Sequence, residues 1–155
     1  MPGYIGVDIV EGKGVDKIAP AWKLPFATNE VDEIYTHHVI EHISSPDLDR
    51  TLKEFARVLK RGGKLILICP DFEKHLRRWL DGDYTYRWGF GLKMILGYQT
   101  HKGQFHTNGF TLKRFRKMLP SYGFEVKVLE NRDNKYKRDR AFVPKGDIHV
   151  EAIKK

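Results

Sequence analysis

One cysteine in 155 residues, Cys69, excludes an internal disulfide framework and suits a reducing cytoplasm, the location expected for this chain. Long hydrophobic runs are also missing. The strongest one, residues 65–69, is far short of the roughly 20 residues that a membrane-spanning helix needs. The opening "MPGYIGVDIVEG" has no basic stretch followed by an apolar one, so no secretory signal is expected there. Acidic residues are outnumbered, 20 Asp and Glu against 28 Lys and Arg, for a net charge of +8. What is present, 41% hydrophobic and 31% charged residues, fits a soluble globular protein of one domain.

The positive charge is concentrated. Residues 113–140 hold ten Lys and Arg against four Asp and Glu, in "KRFRK" and "NRDNKYKRDR". Such a cluster attracts phosphates or an anionic surface, or is simply a solvated helix face followed by a loop. Aromatics for base stacking are sparse within it, so charge alone does not favour a nucleic-acid partner.

The hydrophobic pattern alternates between strands and helices. "YIGVDIV" (4–10) predicts a buried strand turned by "EGKG", and "VDKI" (15–18) a short second one. "LPFATNEVD" reads as a loop, and 31–39 as a strand through about Thr36. Leu48, Leu52, Phe55, Val58 and Leu59 recur at helical spacing, with Asp47 as expected cap and Gly62-Gly63 as the stop. "KLILICP" (64–70) predicts a continuously apolar strand. "FEKHLRRWL" predicts a helix, as does "TLKRFRKMLPSYGF" from Thr111 to near Gly123. Residues 84–110 have no clear period. "EVKVLEN" and "DIHVEAIKK" predict two closing strands around a basic loop. The result is an α/β chain with buried, parallel early strands.

One motif invites a metal. His38-Val39-Ile40-Glu41-His42 fits H-x-x-E-H, a zinc-peptidase signature. That chemistry needs both histidines one turn apart on a long helix, with a third ligand downstream. Here the motif follows a predicted strand, Ser44-Ser45-Pro46 interrupts any helix within a turn, and no later acidic residue stands out. No metal site is expected. Glu41 and His42 are expected to hydrogen-bond locally and brace the turn.

Four pieces, "PGYIGVDI", "KLPFATNEVDEIYTHHVIEHI", "LKEFARVLKRGGKLILICPD" and "SYGFEV…IHVEAIKK", span nearly the whole chain. Together they resemble the class I S-adenosylmethionine-dependent methyltransferases, particularly the small type 11 group. The resemblance implies a single methyltransferase-like domain over 1–155, with a Rossmann-like, mostly parallel sheet, helices on both faces and a C-terminal antiparallel hairpin. It implies methyl transfer from S-adenosylmethionine to an acceptor, small or macromolecular, that the sequence does not name.

By the same resemblance, Asp8 holds the ribose diol of the cofactor, although it also suits an ordinary turn before "EGKG". Ile9 would pack on the adenine face and the amide of Ala21 would meet its ring. Trp22 either stacks nearby or is a partly exposed core aromatic. Pro20 stands where the family often has an Asp for the adenine amino group. Thr36, His37 and His38 would line the methionine half. His101 and His106 lie in the substrate-facing insertion, as a general base or as loop histidines. Tyr84, Tyr86, Trp88 and Phe90 would wall an acceptor pocket or form a satellite core.

The family's glycine-rich cofactor turn lies upstream of its "PGYINVDI"-like stretch, and here neither that turn nor the first, central strand precedes residue 4. Gly12 and Gly14 follow the second family strand and open no helix. In the family order 3-2-1-4-5-7-6 this predicts either a rearranged sheet or a homodimer that supplies the missing contacts. It also leaves a second functional expectation, a non-catalytic remnant working through its basic surface.

Overall fold

A computed structural model describes residues 3–82, 90–100, 103–132 and 146–155, without the side chains of residues 90, 91 and 132. The elements run β1 (Val7–Asp8), β2 (Lys17–Ile18), β3 (Val31–His37), α1 (Ser45–Val58), β4 (Leu59–Pro70), α2 (Phe72–Leu80), α3 (Phe90–Leu96), α4 (Leu112–Met118), β5 (Phe124–Arg132) and β6 (Asp147–Lys154). Single 3₁₀ turns occupy Ile40–His42 and Leu119–Tyr122.

The main sheet has the order β3-β4-β6-β5. β4 runs parallel to β3 and antiparallel to β6, and β6 runs antiparallel to β5, so the predicted closing hairpin is present. Alternation along β4 sends Leu65, Leu67 and Cys69 into the core, where Ile148, Val150 and Ala152 of β6 join them. Leu48, Leu52 and Phe55 of α1 and Phe115 of α4 close over this face. These two helices sit on the sheet because their apolar residues fall on one stripe.

Two sequence expectations need correcting at element ends. The cap of α1 is Ser44, not Asp47: the Asp47 amide donates to Ser44 Oγ at 3.3 Å, and Pro46 lies in the first turn, where its missing N–H costs nothing. The helix stops at Val58 rather than at Gly62-Gly63. Leu59 is already extended and pairs with Val31.

The larger correction concerns 4–10. Only Val7 and Asp8 are paired, to Lys17 and Ile18 of β2, in a separate two-stranded sheet. Ile5, Ile9 and Val10 are more than half exposed, so this segment is not the predicted buried strand. The reason is that a strand is buried by neighbours on its edges and faces, and among the described residues β1 has β2 alone. Nor has the sheet rearranged to join β1 to β3. Across that interval the Tyr4 hydroxyl donates to the Glu33 carboxylate.

Candidate functional site

β1 and β3 both end on the side where open α/β sheets place ligands. At the first end, Asp8 is exposed, and its Oδ1 accepts the amides of Ile9 (2.6 Å) and Val10 (3.3 Å). These bonds fix the carboxylate. Ile9 beside it is exposed. Ala21 packs against the core, and the Arg50 guanidinium lies over the Trp22 ring at 5.8 Å. The loop between is clamped from α1: Glu54 accepts the Leu24 amide at 2.8 Å, and Arg57 donates to the Phe26 carbonyl at 2.8 Å.

At the second end the chain turns sharply. Thr36 is buried, its hydroxyl directed at the Ile66 carbonyl (3.5 Å), and His37 is exposed. His38 adopts a left-handed φ of 54°, and its amide donates to the Ile68 carbonyl. Its Nδ1 lies 3.0 Å from Glu41 Oε1 and its Nε2 3.3 Å from Asp147 Oδ2. A carboxylate only accepts, so both ring nitrogens carry hydrogen and the ring is an imidazolium. Burial opposes that charge, but the bonds to Asp147 and Glu41 outweigh it and raise the pKa to about 10. His37, edge to face with His38 at 4.5 Å, has its pKa lowered by partial desolvation of its exposed ring and then by that neighbouring charge, against Asp147 and Glu41, which raise it.

The 3₁₀ turn then binds the segment before α4. The Glu41 carbonyl accepts the amides of Thr107 and Asn108, and Asn108 Nδ2 donates to the Ile43 carbonyl at 2.6 Å. His42 meets His106 edge to face at 4.8 Å. Burial lowers the pKa of His106, whose Nδ1 lies 3.0 Å from the Met94 carbonyl. His38 and His42 therefore face different partners, and the turn is not the long helix of a zinc peptidase. Sequence reasoning missed Asp147, which nothing in the spacing ties to His38. His101, Tyr84, Tyr86 and Trp88 lie outside the described residues, as does the Phe90 side chain and half of the basic cluster. Of the rest of that cluster, Lys113, Arg116 and Lys117 are exposed, whereas Arg114 is bonded to Gly109 and Asn108.

Among the described residues no bond joins Asp8 to the Thr36–His42 turn, so the site stands as two halves. The sequence model of one family, described as "Methyltransferase domain", matches residues 7–67, which contain both halves. Residues 7–67 are thus similar to methyltransferase-domain sequence. The rest of the chain supplies β4's end, α2 to α4 and the closing hairpin. Its fold is that of solved S-adenosylmethionine-dependent methyltransferases, one from Methanosarcina mazei among them (20% identity over 91% of this chain and 68% of that one, TM-score 0.60). Another is from Mesorhizobium loti (14%, 97% and 79%, TM-score 0.61). A third, the 1,6-didemethyltoxoflavin-N1-methyltransferase of Burkholderia thailandensis, was solved with S-adenosylhomocysteine bound (13%, 96% and 59%, TM-score 0.59). The chain thus spans about two thirds of the first of these and less of the third. No curated protein matches it. At its end β1 presents an anchored carboxylate and an exposed apolar side chain. No described helix is long and apolar enough to cross a membrane.

Proposed function

We propose that this domain binds S-adenosylmethionine and transfers its methyl group to an acceptor in the cytoplasm. The observation that carries the reading is Asp8, at the carboxyl end of β1, with Oδ1 held by two amides and its side chain in solvent. Asp8 would take the ribose hydroxyls, Ile9 the adenine face and Ala21 the adenine edge, with His37 and His38 toward the methionine half. The cofactor supplies an activated methyl on a sulfonium. Asp8, Ile9 and Ala21 would hold the cofactor so that its methyl could pass to an acceptor lone pair, with sulfur left as a neutral thioether and any acceptor proton released to solvent or a base. The leaving group needs no proton, so the chain's contribution is to hold and desolvate the partners. Partial desolvation and the His38 charge lower the His37 pKa, which favours a neutral ring beside a sulfonium.

The separation of β1 from β3 favours one further reading, a methyltransferase-fold module that binds through its basic surface without catalysis. Calorimetric titration with S-adenosylmethionine and S-adenosylhomocysteine separates the two. Micromolar binding, weakened roughly 10- to 100-fold by Asp8→Ala through loss of a charge-assisted pair of bonds, supports the enzyme. Absence of heat at millimolar ligand supports the binding module.

A further inference from the structure

Methyl-transfer chemistry leaves one convergent cluster unused. Glu41, His42 and His106 each offer a ligand atom, and these lie within 4.8 Å of one another. The two rings share a tautomer. His42 Nδ1 lies 3.0 Å from the Phe105 carbonyl and His106 Nδ1 3.0 Å from that of Met94. A carbonyl only accepts, so each Nδ1 carries the hydrogen and each Nε2 keeps a lone pair. Glu41 is 2% exposed; its Oε1 serves His38, while its Oε2 is buried without a hydrogen-bond partner. A buried carboxylate oxygen left without a bond is costly, and two imidazole lone pairs beside it supply no donor.

We propose that Glu41, His42 and His106 bind a divalent transition-metal ion of the zinc class, with a further coordination position open to water or an oxygen of the methyl acceptor. Imidazole nitrogens with one carboxylate suit such an ion better than the all-oxygen sets of calcium or magnesium. Histidine ligands are normally held through the other ring nitrogen by a carbonyl or carboxylate, as both are here. A tetrahedral ion needs ligand atoms about 3.4 Å apart, so the cluster must close by an ångström or so. His42 and His106 are only half-buried, and closure would turn each ring about its held Nδ1. A second group, His37, His38 and Asp147, is equally close. It is the poorer site, because His38 spends both ring nitrogens on carboxylates. Under this assignment the His106 lone pair holds the ion, and His106 is a ligand rather than a general base. The H-x-x-E-H motif then contributes its last two residues, with the third ligand a histidine.

The chain, stripped with a chelator, is titrated with Co²⁺ and followed by visible absorption. One equivalent should bind with the intense bands of four-coordinate cobalt, and Zn²⁺ should bleach them. His42→Ala and His106→Ala, checked for fold by circular dichroism, should each weaken binding roughly tenfold or more, and His37→Ala should not. In the unmutated chain, ¹⁵N spectra should show Zn²⁺ shifting two imidazole Nε2 signals while their Nδ1 stay protonated. This readout needs no variant and no cofactor. No saturable band, a site that survives His106→Ala or follows His37, or fewer than two shifted imidazoles overturns the proposal.

Discussion

His75 shows how much a single buried side chain can decide. It sits on α2 at 2% exposure, and its Nε2 has no hydrogen-bond partner among the described residues. Burial lowers its pKa, Asp147 and Asp71 pull it back up, and Arg78 and Lys74 add to the lowering. A histidine whose folded pKa lies below its unfolded value of about 6.5 costs nothing above that pH. As the pH falls, the unfolded chain takes the proton first, so stability declines from about pH 6.5 down through the folded pKa. His75→Phe removes that dependence. Urea denaturation at pH 7.5 and 5.5 should show the unmutated chain losing more stability on acidification than the variant. Equal losses would contradict the assignment. Little of this was legible in the sequence, nor was the pairing of His38 with Asp147, 109 positions away. A long-range ion pair leaves no period to read. The turn itself was legible, since Ser44-Ser45-Pro46 ends any helix that residues 38–43 could start.

Among the elements, legibility followed how each segment is buried. α1 was readable because its apolar residues share one stripe, β4 because it is covered by neighbours and becomes uniformly apolar, and the β5–β6 hairpin because its strands alternate. β1 was misjudged for the converse reason: "YIGVDIV" has the composition of a buried strand, but composition does not supply the neighbour that would bury it. The start of α1 was misplaced by three residues because Ser44 and Asp47 are both good caps, and only the geometry chooses between them. Ser44 Oγ accepts the Asp47 amide and donates to Asp47 Oδ2 at 2.7 Å, so the two work as a unit with Ser44 outermost. Ser44→Ala should therefore lower stability by about 1 kcal/mol. Asp47→Ala, which leaves the backbone bond to Ser44 in place, should cost less. Chemical denaturation of both variants at one pH checks the order, and the reverse order would return the cap to Asp47.

For the molecule as a whole, the consequential feature is the interval between its two sheets. β3 is bonded to β4 along one edge, and among the described residues no strand occupies the other. Such an edge presents a row of backbone donors and acceptors that another strand can satisfy. On the β1 side of the interval, Ile5, Ile9, Val10 and Ile18 are all more than half exposed. Apolar surface and an open edge together favour association, and identical chains most readily associate about a twofold axis, where β3 would meet β3 antiparallel. The chain is accordingly expected to dimerise through β3. Sedimentation velocity over a hundredfold range of concentration should show a monomer–dimer equilibrium, and hydrogen exchange should slow at the β3 amides as the dimer fills. A monomer at every concentration, with unchanged exchange along β3, would refute it. The outcome bears on function, because the edge in question ends at Thr36 and His37. A copy seated there covers the flank of the turn that carries His38, Glu41 and His42. Dimerisation would then compete with ligand at that turn, and saturating S-adenosylmethionine should shift the equilibrium toward monomer.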